Sequence, residues 1–84
     1  MTKNRFLGLS FPERAKWLYF NGQLITSIRY YRHKINLYLL DRVYVEVFYN
    51  NSEDRVDRIE PLDVRSKRMN FYADQIKLPR DLTQ

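Results

Sequence analysis

His33 and Glu46 are the side chains whose type and setting suggest proton chemistry. His33 is the only histidine and lies between Arg32 and Lys34. A catalytic imidazole needs an acid to orient it and a pocket to receive substrate, so a ring in a turn between two cations is expected to be a solvated turn residue. Glu46 stands between Val45 and Val47, an apolar setting of the kind that suits a carboxylate to acid–base work. The competing reading is a cross-strand pair with Arg58, with the Tyr38 ring beside it. The second reading is preferred, because the strand register argued below sets Arg58 opposite.

Other reactive groups are few. Glu53, Asp54 and Asp57 are interspersed with Arg55 and Arg58 without the spacing of a calcium loop, which predicts surface ion pairs. There is no cysteine, and Gly8 and Gly22 are the only glycines, so the chain lacks a thiol nucleophile and a glycine-rich phosphate loop. The expectation is a protein that is not an enzyme, with no catalytic residues, no cofactor and no metal.

The elements that position these side chains must fit in 84 residues, enough for one small domain with one modest core. The hydrophobic share is 44%, with two Gly and three Pro, a composition that excludes a disordered tail. Without cysteine, neither a disulfide-stapled secreted domain nor a Cys/His metal module is expected. No stretch after Met1-Thr2-Lys3-Asn4-Arg5 has the length of a signal peptide's apolar segment, and no window approaches a membrane span. The expected compartment is the cytoplasm.

Charge is uneven along the chain. Residues 1–42 carry eight basic and two acidic side chains, whereas residues 43–84 carry seven and eight. Such asymmetry suits an anionic partner, nucleic acid above all, or simply a basic solvated surface.

Ser10-Phe11-Pro12-Glu13 predicts a helix start, with Ser10 and Glu13 capping each other and Pro12 where a missing N–H costs nothing. The helix is expected over residues 11–21, with Phe11, Ala15 and Leu18 on one side and Gly22 closing it in a left-handed conformation. Trp17, Phe20, Leu24, Ile28 and Tyr31 also fall at helical spacing, and Asn21-Gly22 suits a hairpin turn. The alternation and β-branched content of residues 23–30 favour a strand there.

Ile35, Leu37 and Leu39 alternate with Lys34, Asn36 and Tyr38, and Val43, Val45, Val47 and Tyr49 alternate with Tyr44, Glu46 and Phe48, which predicts two half-buried antiparallel strands. A polar turn at residues 50–54 precedes a fourth strand at 55–60, ended by Pro61. Pairing Leu39 with Val45, Leu37 with Val47 and Ile35 with Tyr49 keeps one face apolar and requires an odd loop at Asp41-Arg42-Val43. Pairing Ile28 with Leu37, and Val45 with Ile59, extends that face and sets Glu46 against Arg58. Met69, Tyr72, Ala73 and Ile76 then predict a second amphipathic helix over 66–77, stopped before Pro79. The fold expected is an α+β domain, a four-stranded antiparallel meander with N- and C-terminal helices on one face.

The run Arg29-Tyr30-Tyr31-Arg32-His33-Lys34-Ile35-Asn36-Leu37-Tyr38-Leu39-Leu40, with Tyr44-Val45-Glu46-Val47-Phe48-Tyr49-Asn50 and Met69-Asn70-Phe71-Tyr72-Ala73-Asp74-Gln75-Ile76, resembles a group of short uncharacterised bacterial proteins of Bacteroidetes type. The resemblance covers most of the chain from Trp17 onward. It implies a stand-alone domain in a bacterial cytosol, and no activity, cofactor or site residue.

If helices cover one face, Arg29, Tyr31, Lys34, Tyr38, Tyr44, Phe48 and Arg58 share the other. Exposed aromatic and apolar area at that density marks a contact surface. One reading is a non-enzymatic interaction module, a homodimer or a complex with another protein, anchored by these aromatic and arginine side chains. The alternative is a single-stranded nucleic-acid platform, with Tyr31, Tyr38 and Phe48 stacking bases and Arg29, Lys34 and Arg58 holding phosphates.

Overall fold

The computed structural model describes residues 1–74, and within them the chain is an α+β fold. Its elements run α1 (Lys3–Leu7), α2 (Phe11–Asn21), β1 (Gln23–Tyr30), β2 (His33–Leu40), β3 (Val43–Asn50), β4 (Arg55–Pro61) and α3 (Met69–Tyr72). The four strands form one antiparallel sheet in sequence order, a meander.

Local chemistry accounts for the elements the sequence predicts. The Ser10 hydroxyl accepts the Glu13 N–H, and the Ser10 N–H donates to the Glu13 carboxylate at 2.8 Å, so a reciprocal cap starts α2. Gly22 departs from expectation. It is extended, at φ −79° and ψ 148°, and its N–H donates to the Leu18 carbonyl. Glycine is needed there for space, since a Cβ would stand 2.7 Å from that carbonyl oxygen. α1 was not predicted: its five residues are too short for a periodic pattern, and the Thr2 hydroxyl, which accepts the Arg5 N–H, is its one local signal.

Register is where the structure departs most from the expected pairing. β2 and β3 meet across a two-residue loop, Asp41-Arg42, with Asp41 at φ 54°. Leu40 therefore pairs with Val43, Tyr38 with Val45, Leu37 with Glu46 and Ile35 with Phe48. The expected odd loop would have shifted this ladder by one residue, and a one-residue slip turns every side chain over. The outer ladders shift by two and keep their parity: Ile28 pairs with Ile35, and Ile59 with Val47, not Val45.

The result is a sheet buried on both faces. On one, Val43, Val45, Val47, Leu40 and Ile59 pack with Phe6 of α1 and Leu18 of α2. On the other, Leu37 packs with Leu62 and with Tyr72 of α3, joined by the partly buried Ile28, Tyr44 and Met69. The N-terminal helices and the C-terminal helix thus lie on opposite faces instead of sharing one. Arg14 binds the first layer together, donating to the carbonyls of Leu7, Leu9 and Ile59. The predicted C-terminal helix is a turn over residues 66–68 and helical from Met69 to Tyr72; the remainder of that prediction, beyond residue 74, lies outside the described residues.

Candidate functional site

The two residues with apparent proton chemistry are both committed to structure. Glu46 is 1% exposed, and its carboxylate accepts hydrogen bonds from Arg68 Nε at 2.7 Å, Arg68 Nη2 at 2.8 Å and the Tyr72 hydroxyl at 2.8 Å. Its cross-strand neighbour is Glu60, not Arg58, and Tyr38 faces the other way. Burial, together with the Glu46 carboxylate, pushes the Tyr72 hydroxyl well above the usual phenol range. With both Glu46 oxygens occupied, the group is an anchor for the chain entering α3.

His33 is the first residue of β2 instead of a solvated turn residue. Its Nε2 lies 2.9 Å from Asp57 Oδ2, and its ring meets Phe48 edge-on. Asp57 also accepts from Asn50 and from Arg55 Nε. These contacts, the His33 bond first, hold the Asp57 carboxyl down at about 2. Arg55 pairs with Glu53 as well, so Glu53 and Asp57 form the ion pairs expected of them, whereas Asp54 accepts a hydrogen bond from the Tyr49 hydroxyl. Among the described residues no group of three His, Asp or Glu side chains is placed to hold a metal, and no helix is long and apolar enough to cross a membrane.

The seven contact candidates do not share a face. Phe48 is 1% exposed, held under the guanidinium groups of Arg58 at 4.0 Å and Arg68 at 5.1 Å. Tyr44 is half-buried on the same side, against the α3 cluster. Tyr38 is on the opposite side, half-buried against the α1–α2 cluster. Arg29 and Lys34, both exposed, face each other on Tyr38's side, and Tyr31 projects from the β1–β2 loop with 90% of its surface free. The structure brings together Arg29, Tyr31 and Lys34, and separately Phe48 and Arg58.

A different apolar surface emerges at α2 and the start of β1. Leu18 is the one buried residue of α2, yet Phe11, Trp17, Tyr19, Phe20 and Leu24 are 37–83% exposed. Tyr19 and Leu24 border an apolar groove of about 400 Å³ between the helix and the sheet, lined also by Leu18, Tyr38, Val47 and Ile59, while Trp17 and Phe20 border a separate hollow. The helical spacing of Trp17, Phe20 and Leu24 was visible in the sequence; its meaning was not, because a helix on an 84-residue domain is expected to spend its aromatic side chains on its own core. Beside Trp17 and Phe20 stand Glu13 and Lys16, one charge of each sign.

Compared with known protein families, curated proteins and solved structures, the chain matches none.

Proposed function

We propose that this protein is a small non-enzymatic interaction module of the cytoplasm that self-associates through the apolar surface of α2 and the start of β1. The observation that carries this reading is the inverted helix: α2 turns Trp17, Tyr19 and Phe20 to solvent while burying only Leu18. Contiguous exposed aromatic area of this kind is a mark of contact sites, and Trp and Tyr are the side chains that anchor them.

A second copy of the chain is the occupant favoured by charge. The chain carries a net charge of +5, yet this patch holds one acid, Glu13, and one base, Lys16. Two such patches meeting about a two-fold axis bring no net repulsion, whereas a strongly acidic partner finds little to attract it there. The absence of cysteine suits a reducing compartment.

Light scattering tests the reading. The expected result is twice the chain mass, retained at high salt because the contact is apolar. Phe20→Ser with Leu24→Ser should return the chain to a monomer that keeps the parent's circular dichroism spectrum, both side chains being exposed in the single chain. A monomeric parent protein, or a dimer that survives the double substitution, overturns it.

A further inference from the structure

The tip of the β1–β2 hairpin is built from residues that work against the hairpin's own stability. Tyr31 opens the two-residue loop at φ 57°, in the left-handed region where a bulky aromatic is an outlier and glycine or asparagine is at ease. The residue is 90% exposed, and among the described residues its ring meets one other aromatic ring, that of Tyr30, edge-on at 4.7 Å between centroids. Directly below the loop, Arg29 and Lys34 are register partners on one face, and like charges facing each other across two strands repel. Arg32 completes the loop. Among the described residues none of Arg29, Arg32 and Lys34 has an ion-pair partner.

Acidic side chains stand at the same end of the sheet, but they are engaged elsewhere. Glu53 and Asp57 bind Arg55, Asp57 also binds His33, and Asp54 accepts the Tyr49 hydroxyl. The acidic side chains of the neighbouring hairpin thus have partners of their own, Glu53 and Asp57 sharing the one guanidinium of Arg55, and among the described residues none of them pairs with the three cations of β1–β2 around the projecting phenol ring. Next along the same face, Ser27 donates to Asn36 at 2.6 Å, a polar pair at the edge of the cationic surface.

We propose that this tip is a contact site for single-stranded nucleic acid, with Arg29, Arg32 and Lys34 holding phosphates and Tyr31 stacking on a base. Uncompensated cations in a row recover favourable energy against a polyanion, and an unpaired base offers the π-face that a free Tyr ring can cover. A duplex hides that face, and a polyglutamate chain has none. The site is separate from the neutral apolar surface of α2 and does not depend on it.

Fluorescence anisotropy with a labelled oligothymidylate is the test, with the duplex form and a polyglutamate peptide as competitors. Three phosphate contacts predict a logarithmic salt slope of about −2 for a single strand, or roughly a 20-fold loss of affinity between 50 and 200 mM salt. Arg29→Ala with Lys34→Ala should reduce the slope to about −0.7. Tyr31→Gly should weaken binding by about 5-fold or more, with a melting temperature equal to or above the parent's, since glycine relieves the loop. Lys34→Glu should abolish binding and raise the melting temperature, since it replaces a repulsive cross-strand pair with an attractive one. Neither loss would then be a folding defect.

Several outcomes overturn the proposal: no binding at low salt, an unchanged slope in the double variant, full affinity in Tyr31→Gly, or polyglutamate competing as well as the oligonucleotide. A salt-labile dimer abolished by Lys34→Glu, without oligonucleotide binding, would likewise overturn it and assign the tip to the acidic hairpin of a second copy.

Discussion

Arg68 grips Glu46 with two parallel hydrogen bonds, Nε to Oε2 at 2.7 Å and Nη2 to Oε1 at 2.8 Å, across 22 residues of sequence. The carboxylate is 1% exposed and the guanidinium side chain 20%. The guanidinium also lies 5.1 Å from the Phe48 ring centroid and 5.7 Å from that of Tyr30. This two-pronged geometry fixes direction as well as distance, so it determines how the chain after β4 approaches the sheet.

Breaking the pair from one side leaves a buried charge without its counter-ion. Arg68→Ala is expected to cost about 3–5 kcal/mol of folding stability, read as a lowered denaturation midpoint. Tyr72→Phe removes a single hydrogen bond to the same carboxylate and should cost about 1.5–3 kcal/mol. If Arg68→Ala unfolds no more easily than the parent protein, this pair does not hold α3 to the sheet.

Asp57 makes stability sensitive to acid. Its folded carboxyl titrates at about 2 against an ordinary value of 3.8, through the hydrogen bonds from His33 and then Arg55. A group depressed in the folded state contributes its full stability above its unfolded value and loses it as pH falls through the folded value. Its share of stability is thus present above about pH 4 and disappears between there and about pH 2. Asp57→Asn should flatten that part of the acid-denaturation curve, which circular dichroism follows; a curve as steep as the parent's would mean other carboxylates dominate it.

Phe48 and Tyr38 behave differently because they face opposite layers. Phe48, at 1% exposure, should cost about 3–5 kcal/mol when cut to alanine. Tyr38 is half-buried and should cost less. Chemical denaturation of the two single variants tests the difference, and equal small losses would contradict the burial of Phe48 beneath Arg58 and Arg68.

What the sequence by itself determined was α2 and the four strands in their order, with a helix after them, but not α1. The Ser10–Glu13 cap, the alternation of residues 23–30, 34–40 and 43–49, and the turn before Arg55 are local signals, and a helix cap or a strand's period is decided by residues a few positions apart. The α+β meander follows from them. Only tertiary structure decided the register of β2 against β3. Both parities of these strands carry apolar side chains, Ile35 and Leu37 on one side and Tyr38 and Leu40 on the other, so two pairings bury comparable area and pattern alone cannot rank them. The two-residue loop at Asp41-Arg42 and the grip of Arg68 on Glu46 select one. That choice buries Phe48, sends the helices to opposite faces, and leaves the exposed aromatic surface on α2 instead of on the sheet. Contacts between residues far apart in sequence made it, and no local pattern records them.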